Sequence, residues 1–171
     1  MKKFELTTES ITFLGRTLFR IKALISFGNV KAGELGGYIE KEGNLSHEGD
    51  AWVCDNARVY GDAWVCDNAW VCGDARVYGD ARVCGNAWVC DNARVCGNAD
   101  IATISGFGSE YRTTTFFRTK NNEIAVKCGC FYGTLAEFRE KVKETHGDNR
   151  YAKEYLMIAD LMEMHFRGEE E

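Results

Sequence analysis

The residues able to do chemistry in this chain come in stacked sets. Over 49–102 it reads GDAWVC, DNARVY, GDAWVC, DNAWVC, GDARVY, GDARVC, GNAWVC, DNARVC and GNADIA. The fourth position is mostly Trp or Arg, and the sixth mostly Cys or Tyr. Guanidinium forks recognise phosphate or carboxylate. Indoles stack on bases or on another subunit. Thiols can ligate metal, pair or attack. Three histidines, His47, His146 and His165, are the candidate general bases.

These groups need an element that repeats every six residues. Ala at the third position and Val or Ile at the fifth share one face of a short strand, and the fourth takes the other face. Gly/Asp followed by Asp/Asn supplies a corner. Six residues are not a whole number of helical turns. Corners at this interval wind a prism in which three hexads close one coil, strands of successive coils pair about 4.8 Å apart, and Val fills the interior.

Residues 18 apart then stack. One outer face carries Trp52, Trp70 and Trp88. A second carries Arg58, Arg76 and Arg94, with Glu40 one coil earlier. The third is mixed, with Ser46, Trp64, Arg82 and Asp100. Bare stacked indoles form an apolar strip typical of an interface. Stacked arginines repel, so either the corner aspartates (Asp55, Asp62, Asp74, Asp80, Asp91) neutralise them or they form an anion site. Cysteines stack along the corners as Cys54, Cys72 and Cys90, and as Cys66 and Cys84. They are expected to be free thiols, because pairing across in-register strands leaves their Cβ atoms slightly far for an unstrained disulfide. In CGC (128–130) both thiols fall on one side of a strand, without the further ligands zinc needs.

The hexads resemble the hexapeptide-repeat family. Together with RIKALISFGNVKAGELGGYIEKEGNLS and CGCFYGTLAEFREKVKETHGDNRYAKEYL, the chain is similar to small hexapeptide-repeat proteins of bacteria and their phages, often labelled transferases. The resemblance implies a left-handed parallel β-helix, a homotrimer and a phage or prophage origin. Acyltransferases of that fold use a coil histidine beside an acyl-carrier cleft. No histidine lies within the nine regular hexads, and the three positions do not fit the zinc set of the carbonic-anhydrase branch.

The flanks read as caps and an appendage. GYIEKE and GNLSHE (37–48) keep the spacing, with Lys41 and His47 at inward positions, and TISGFG (103–108) fits loosely. ITFLGRTLFRIKAL (11–24) reads as a hairpin about Gly15-Arg16 covering the first coil. A second hairpin turns at Asn121-Asn122. A helix follows from a Thr134/Glu137 capping box to Gly147, then another from about Asn149 to Phe166, both placed on the prism or a neighbouring subunit. The expected divisions are 1–36 (hairpin cap), 37–108 (β-helix) and 109–171 (hairpin and helices). The fold class is mainly β, with three to four coils.

The 171 residues carry a formal charge of −5, which argues against general nucleic-acid binding, and no apolar run suits a signal peptide or a membrane span. A cytoplasmic protein is expected. The function expected is non-catalytic binding by a homotrimer. It captures a nucleotide-like anionic ligand at intersubunit clefts through Arg58, Arg76, Arg94, Arg82 and Trp64, or blocks a host protein as counter-defence. Trp52, Trp70 and Trp88 are the interface candidates. No cofactor or metal is expected. The alternatives are an acyltransferase using an acyl-CoA-type donor and a purely structural scaffold.

Overall fold

A computed structural model describes residues 1–168 and divides the chain into two compact units, one over 1–98 and one from Ala99 onward. The first opens with a long hairpin, β1 (Phe4–Phe13) and β2 (Arg16–Ala23), followed by β3 (Leu35–Ile39). Eight two-residue strands succeed them: β4 (Trp52–Val53), β5 (Arg58–Val59), β6 (Trp64–Val65), β7 (Trp70–Val71), β8 (Arg76–Val77), β9 (Arg82–Val83), β10 (Trp88–Val89) and β11 (Arg94–Val95). They pair in parallel with like residues opposed, as β4-β7-β10, β5-β8-β11 and β6-β9. This is a β-solenoid of about three turns. Each third-position Ala and fifth-position Val from Ala51 to Val95 is buried, so the alternation of the hexad fills the prism.

The corners explain the first letter of each hexad. Asp55, Asp67 and Asp91 hold φ of 52–57°, in the left-handed region that Asp tolerates better than most residues. Their carboxylates also support the next coil. Asp55 Oδ2 accepts from Gly73 N–H at 3.1 Å, and Asp67 Oδ2 from Gly85 N–H at 2.9 Å. At Gly79 (φ 63°) a Cβ would stand 2.0 Å from the Cys96 carbonyl oxygen, so this corner admits no side chain.

Backbone N–H groups of each coil donate to carbonyls of the following one, as from Trp52 to Ala69 at 3.0 Å. The first coil therefore presents carbonyls that need donors from elsewhere. Lys3 Nζ donates to Gly49 O (3.2 Å) and Ala51 O (2.8 Å) on one edge. Asn44 Nδ2 donates to Gly61 O (3.1 Å) and Ala63 O (2.8 Å) on the next. On the third, Tyr38 N–H and Glu40 N–H reach Ala57 O and Val59 O. Two side chains and one strand thus replace a missing coil. At the other end, Arg82 N–H donates to Asn98 Oδ1 at 3.0 Å.

This cap overturns the spacing expected for 37–48. Ile39 pairs with Val59, and Leu45 bridges Val65, so the opening coil is two residues longer than the rest. The inward positions belong to buried Ile39 and Leu45, not to Lys41 and His47. Tyr38, not Glu40, stands in register with Arg58. Glu40 instead accepts from Gly61 N–H at 2.7 Å and pairs with Arg16.

Lys3 is only 1% exposed, and burial holds its ammonium down to about 8, partly offset by Asp50. His47 Nδ1, which accepts the Lys3 backbone N–H, adjoins it. A lysine whose folded value lies below its ordinary 10.5 binds fewer protons folded than unfolded between those limits, so its contribution to stability rises with pH there. Urea unfolding of wild type against Lys3→Met should therefore show a difference that moves in favour of wild type by about 2 kcal/mol between pH 8 and 10, since the opposing loss from the raised Cys54 thiol is common to both. A difference between the two proteins that stays constant over this range would contradict the buried charge.

The hairpin turns at Leu14 and Gly15, both with positive φ, and pairs Phe13 with Arg16. β2 continues onto β3 and so joins the β5-β8-β11 face in one six-stranded sheet.

The second unit holds a four-stranded antiparallel sheet where one hairpin was expected: β12 (Ile101–Ile104), β13 (Thr114–Arg118), β14 (Ile124–Cys128) and β15 (Phe131–Thr134). Residues 103–104 of the loosely fitting TISGFG thus pair with β13. Asn122 (φ 62°) turns β13 into β14. α1 (Leu135–His146) starts at the expected Thr134/Glu137 capping box and stops at Gly147, and α2 (Arg150–Arg167) starts at Asn149. Phe116, Val126, Phe138, Val142, Tyr155, Ile158, Met162 and Phe166 form this unit's core. Among the described residues, no helix is long and apolar enough to cross a membrane.

Candidate functional site

The arginine row forms because β5, β8 and β11 are in register, so Arg58 opposes Arg76 and Arg76 opposes Arg94. All three are half-buried. The hairpin contributes a residue the repeat could not disclose. The Phe13 ring lies 4.4 Å from the Arg58 guanidinium carbon and 4.6 Å from that of Arg76, bridging the two by cation–π contact. Arg58 Nε is buried with no hydrogen-bond partner among the described residues. Arg94 Nη1 donates to the Asp74 and Ala93 carbonyls.

Among the described residues, no corner aspartate forms an ion pair with the arginine row. Asp55 and Asp67 serve backbone N–H groups, and Asp62 takes Lys41 at 3.0 Å. Among the described residues, no carboxylate lies within ion-pair distance of Arg58, Arg76, Arg82 or Arg94. Two of these carboxylates, Asp55 and Asp67, serve the corners that make the winding possible. Burial, and then the neighbouring Arg76 charge, hold the Arg94 guanidinium below its ordinary range. Tyr60 and Tyr78 stack at 5.2 Å beside the row, and burial raises the Tyr60 hydroxyl. On the mixed face Trp64 opposes Arg82, whose guanidinium lies 5.6 Å from the indole, and both are exposed. Asp100, expected on that face, pairs with Arg118 of the second unit.

The indole row is also in register, but its members differ. Trp52 is 0% exposed, with Phe27 edge-on at 5.4 Å, so its own chain removes it from any interface. Trp70 is half-buried and Trp88 is 44% exposed. The open strip is thus Trp70 and Trp88, their rings 6.4 Å apart, with Trp88 Nε1 directed to Cys72 Sγ at 3.1 Å.

Cys66 and Cys84 form a disulfide, contrary to the expectation of free thiols; their Cα atoms, one coil apart, are separated by 4.7 Å, within the ordinary range. Cys54 and Cys72 remain thiols in contact, and their hydrogen bond, then burial, push the Cys54 thiol up. A thiol held protonated is a poor nucleophile. Cys128 and Cys130 do not share one strand face: β14 ends at Cys128, Gly129 turns the chain, and β15 begins at Phe131.

Among the described residues, no histidine hydrogen-bonds a serine, threonine or cysteine side chain. His47 stacks on Phe4 at 4.2 Å and its Nδ1 is occupied by Lys3 N–H. His146 ends α1 against Tyr151 and Tyr155, and His165 packs edge-on to Phe166.

Fold and pairing define the chain as a repeat β-helix protein, mainly β, with two C-terminal helices. A family model described as YdcK Beta solenoid repeat matches residues 51–67, 69–85 and 75–91. The last two segments are offset by one hexad, as a six-residue period requires. No curated protein matches the chain.

Proposed function

We propose that this chain is a non-catalytic binding protein that captures a phosphate-bearing, nucleotide-like ligand on its arginine row. The observation that carries the reading is the row itself: Arg58, Arg76 and Arg94 stack in register without a carboxylate partner among the described residues. Crowded like charges favour a multivalent anion, and guanidinium forks suit phosphate oxygens. The ligand's base stacks on an open indole, either Trp64 beside Arg82 or Trp88 of a second copy. A homotrimer joined through Trp70 and Trp88 places such a cleft between subunits. In a phage setting, the same capture removes a host nucleotide signal.

Calorimetric titration with ATP, ADP and cyclic adenine nucleotides tests this. Wild type should bind at least one of them, and Arg94→Glu should weaken binding by about 30-fold, the effect of losing a charge-assisted bond. Absence of heat with every nucleotide, or an unaltered affinity in the variant, would overturn the reading.

A further inference from the structure

The second unit contains a cavity of about 310 Å³, at the lower end of the size range of small-molecule sites. Its floor is aromatic. Phe138 meets Phe131 at 5.6 Å and Tyr155 edge-on at 5.6 Å, and His146 stacks on Tyr155 at 6.0 Å. Phe138 and Tyr155 are buried core residues, which fixes this surface. Two cations line it from separate segments, Lys141 from α1 and Arg112 from the β12–β13 connection, with one carboxylate, Glu110, beside Arg112.

The β14–β15 turn lies against one of these cations. Gly129 turns β14 into β15 at φ 57°, and a Cβ there would stand 2.2 Å from Arg112 Nη1. The guanidinium thus packs over this turn, where the positive φ favours glycine. Both cations have replaceable partners. Arg112 faces Glu110 at 3.7 Å, and Lys141 faces Glu144 at 3.0 Å, all of them exposed side chains whose pairing contributes little. Among the described residues, the Tyr155 hydroxyl makes only a long bond to Phe107 O (3.4 Å) and a contact with Cys128 Sγ (3.8 Å), and burial keeps it protonated and able to donate.

We propose that this cavity binds a small aryl acid, with its ring on the Phe131/Phe138/Tyr155 floor and its carboxylate or phosphate between Arg112 and Lys141. Edge-to-face contact with the fixed rings selects a planar apolar body. The paired cations select one anionic group, and a neutral analogue leaves them with only their weak surface partners. The site lies wholly in the second unit and is independent of the arginine row.

Amide spectra of the full chain, titrated with phenylacetate, phenyl phosphate and benzyl alcohol, test this. At least one of the two anions should shift Gly129, Lys141 and Thr145 saturably, and benzyl alcohol should bind at least tenfold more weakly. Arg112→Gln/Lys141→Gln, which alters only exposed side chains, should weaken the anion by about tenfold or more. Arg94→Glu should leave it unchanged, separating this site from nucleotide capture. No shift with either anion, equal binding of benzyl alcohol, or an unaffected double variant would each overturn the proposal.

Discussion

Asn44→Asp should lower folding stability by about 4 kcal/mol, although the two side chains have the same shape. Asn44 is 0% exposed and its side chain makes three hydrogen bonds: two donated to Gly61 O and Ala63 O, and one accepted from Lys41 N–H at 3.0 Å. Asp keeps the third and loses the first two. It also sets a carboxyl oxygen against two carbonyl oxygens that are already buried, so each loses its partner and gains a repulsion. Leaving a buried polar group unsatisfied costs about 1–3 kcal/mol, and two are orphaned here. A domain whose total stability is about 5–15 kcal/mol feels that as a large fraction. The measurement is the urea midpoint of the variant against wild type. A loss below about 1 kcal/mol would mean that the first coil does not depend on this surrogate rung.

Reducing the Cys66–Cys84 disulfide should cost about 3 kcal/mol, because it closes a loop with a sequence separation of 18 and restricts the unfolded chain accordingly. The bond ties two successive coils at one corner, where the strands are only two residues long and each contributes few hydrogen bonds of its own. A thiol reductant should lower the unfolding midpoint of wild type. The same reductant should leave Cys66→Ser/Cys84→Ser, already lower, where it is. Changing Cys54 and Cys72 to Ser should not reproduce the effect, since those residues are thiols. Equal midpoints for oxidised wild type and the double variant would contradict the staple.

The regular coils were legible because their period is exact in the letters and the pairing is in register. Trp52, Trp70 and Trp88, and Arg58, Arg76 and Arg94, stack as their spacing requires. The opening coil was not, because GYIEKE and GNLSHE keep the six-residue interval while the winding takes two more residues after Leu45. A buried lysine at position 3 and a buried asparagine at 44 are polar letters in unremarkable surroundings. Only their placement against orphaned carbonyls gives them a role. The cover on the site was hidden for a similar reason. Phe13 is an ordinary alternating residue of a hairpin, and its contact with Arg58 and Arg76 follows from β2 joining β3 on the arginine face. Corner aspartates read as charge partners from composition, whereas the backbone N–H groups of the next coil claim Asp55 and Asp67. Cysteines 18 apart at one corner lie close enough to bond, at the 4.7 Å Cα spacing of Cys66 and Cys84, but Cys54 and Cys72 share that interval and remain thiols, so the letters alone could not pick the bonded pair.

The guanidinium resonances of the assigned arginines test the central claim most directly. On addition of inorganic pyrophosphate at low salt, Nε–H signals of Arg76 and Arg94 should shift together and saturate, while that of Arg139, already held by Asp160 and Glu163, stays fixed. Uniform small shifts across every exposed arginine, or none in the row, would contradict an anion site on this face.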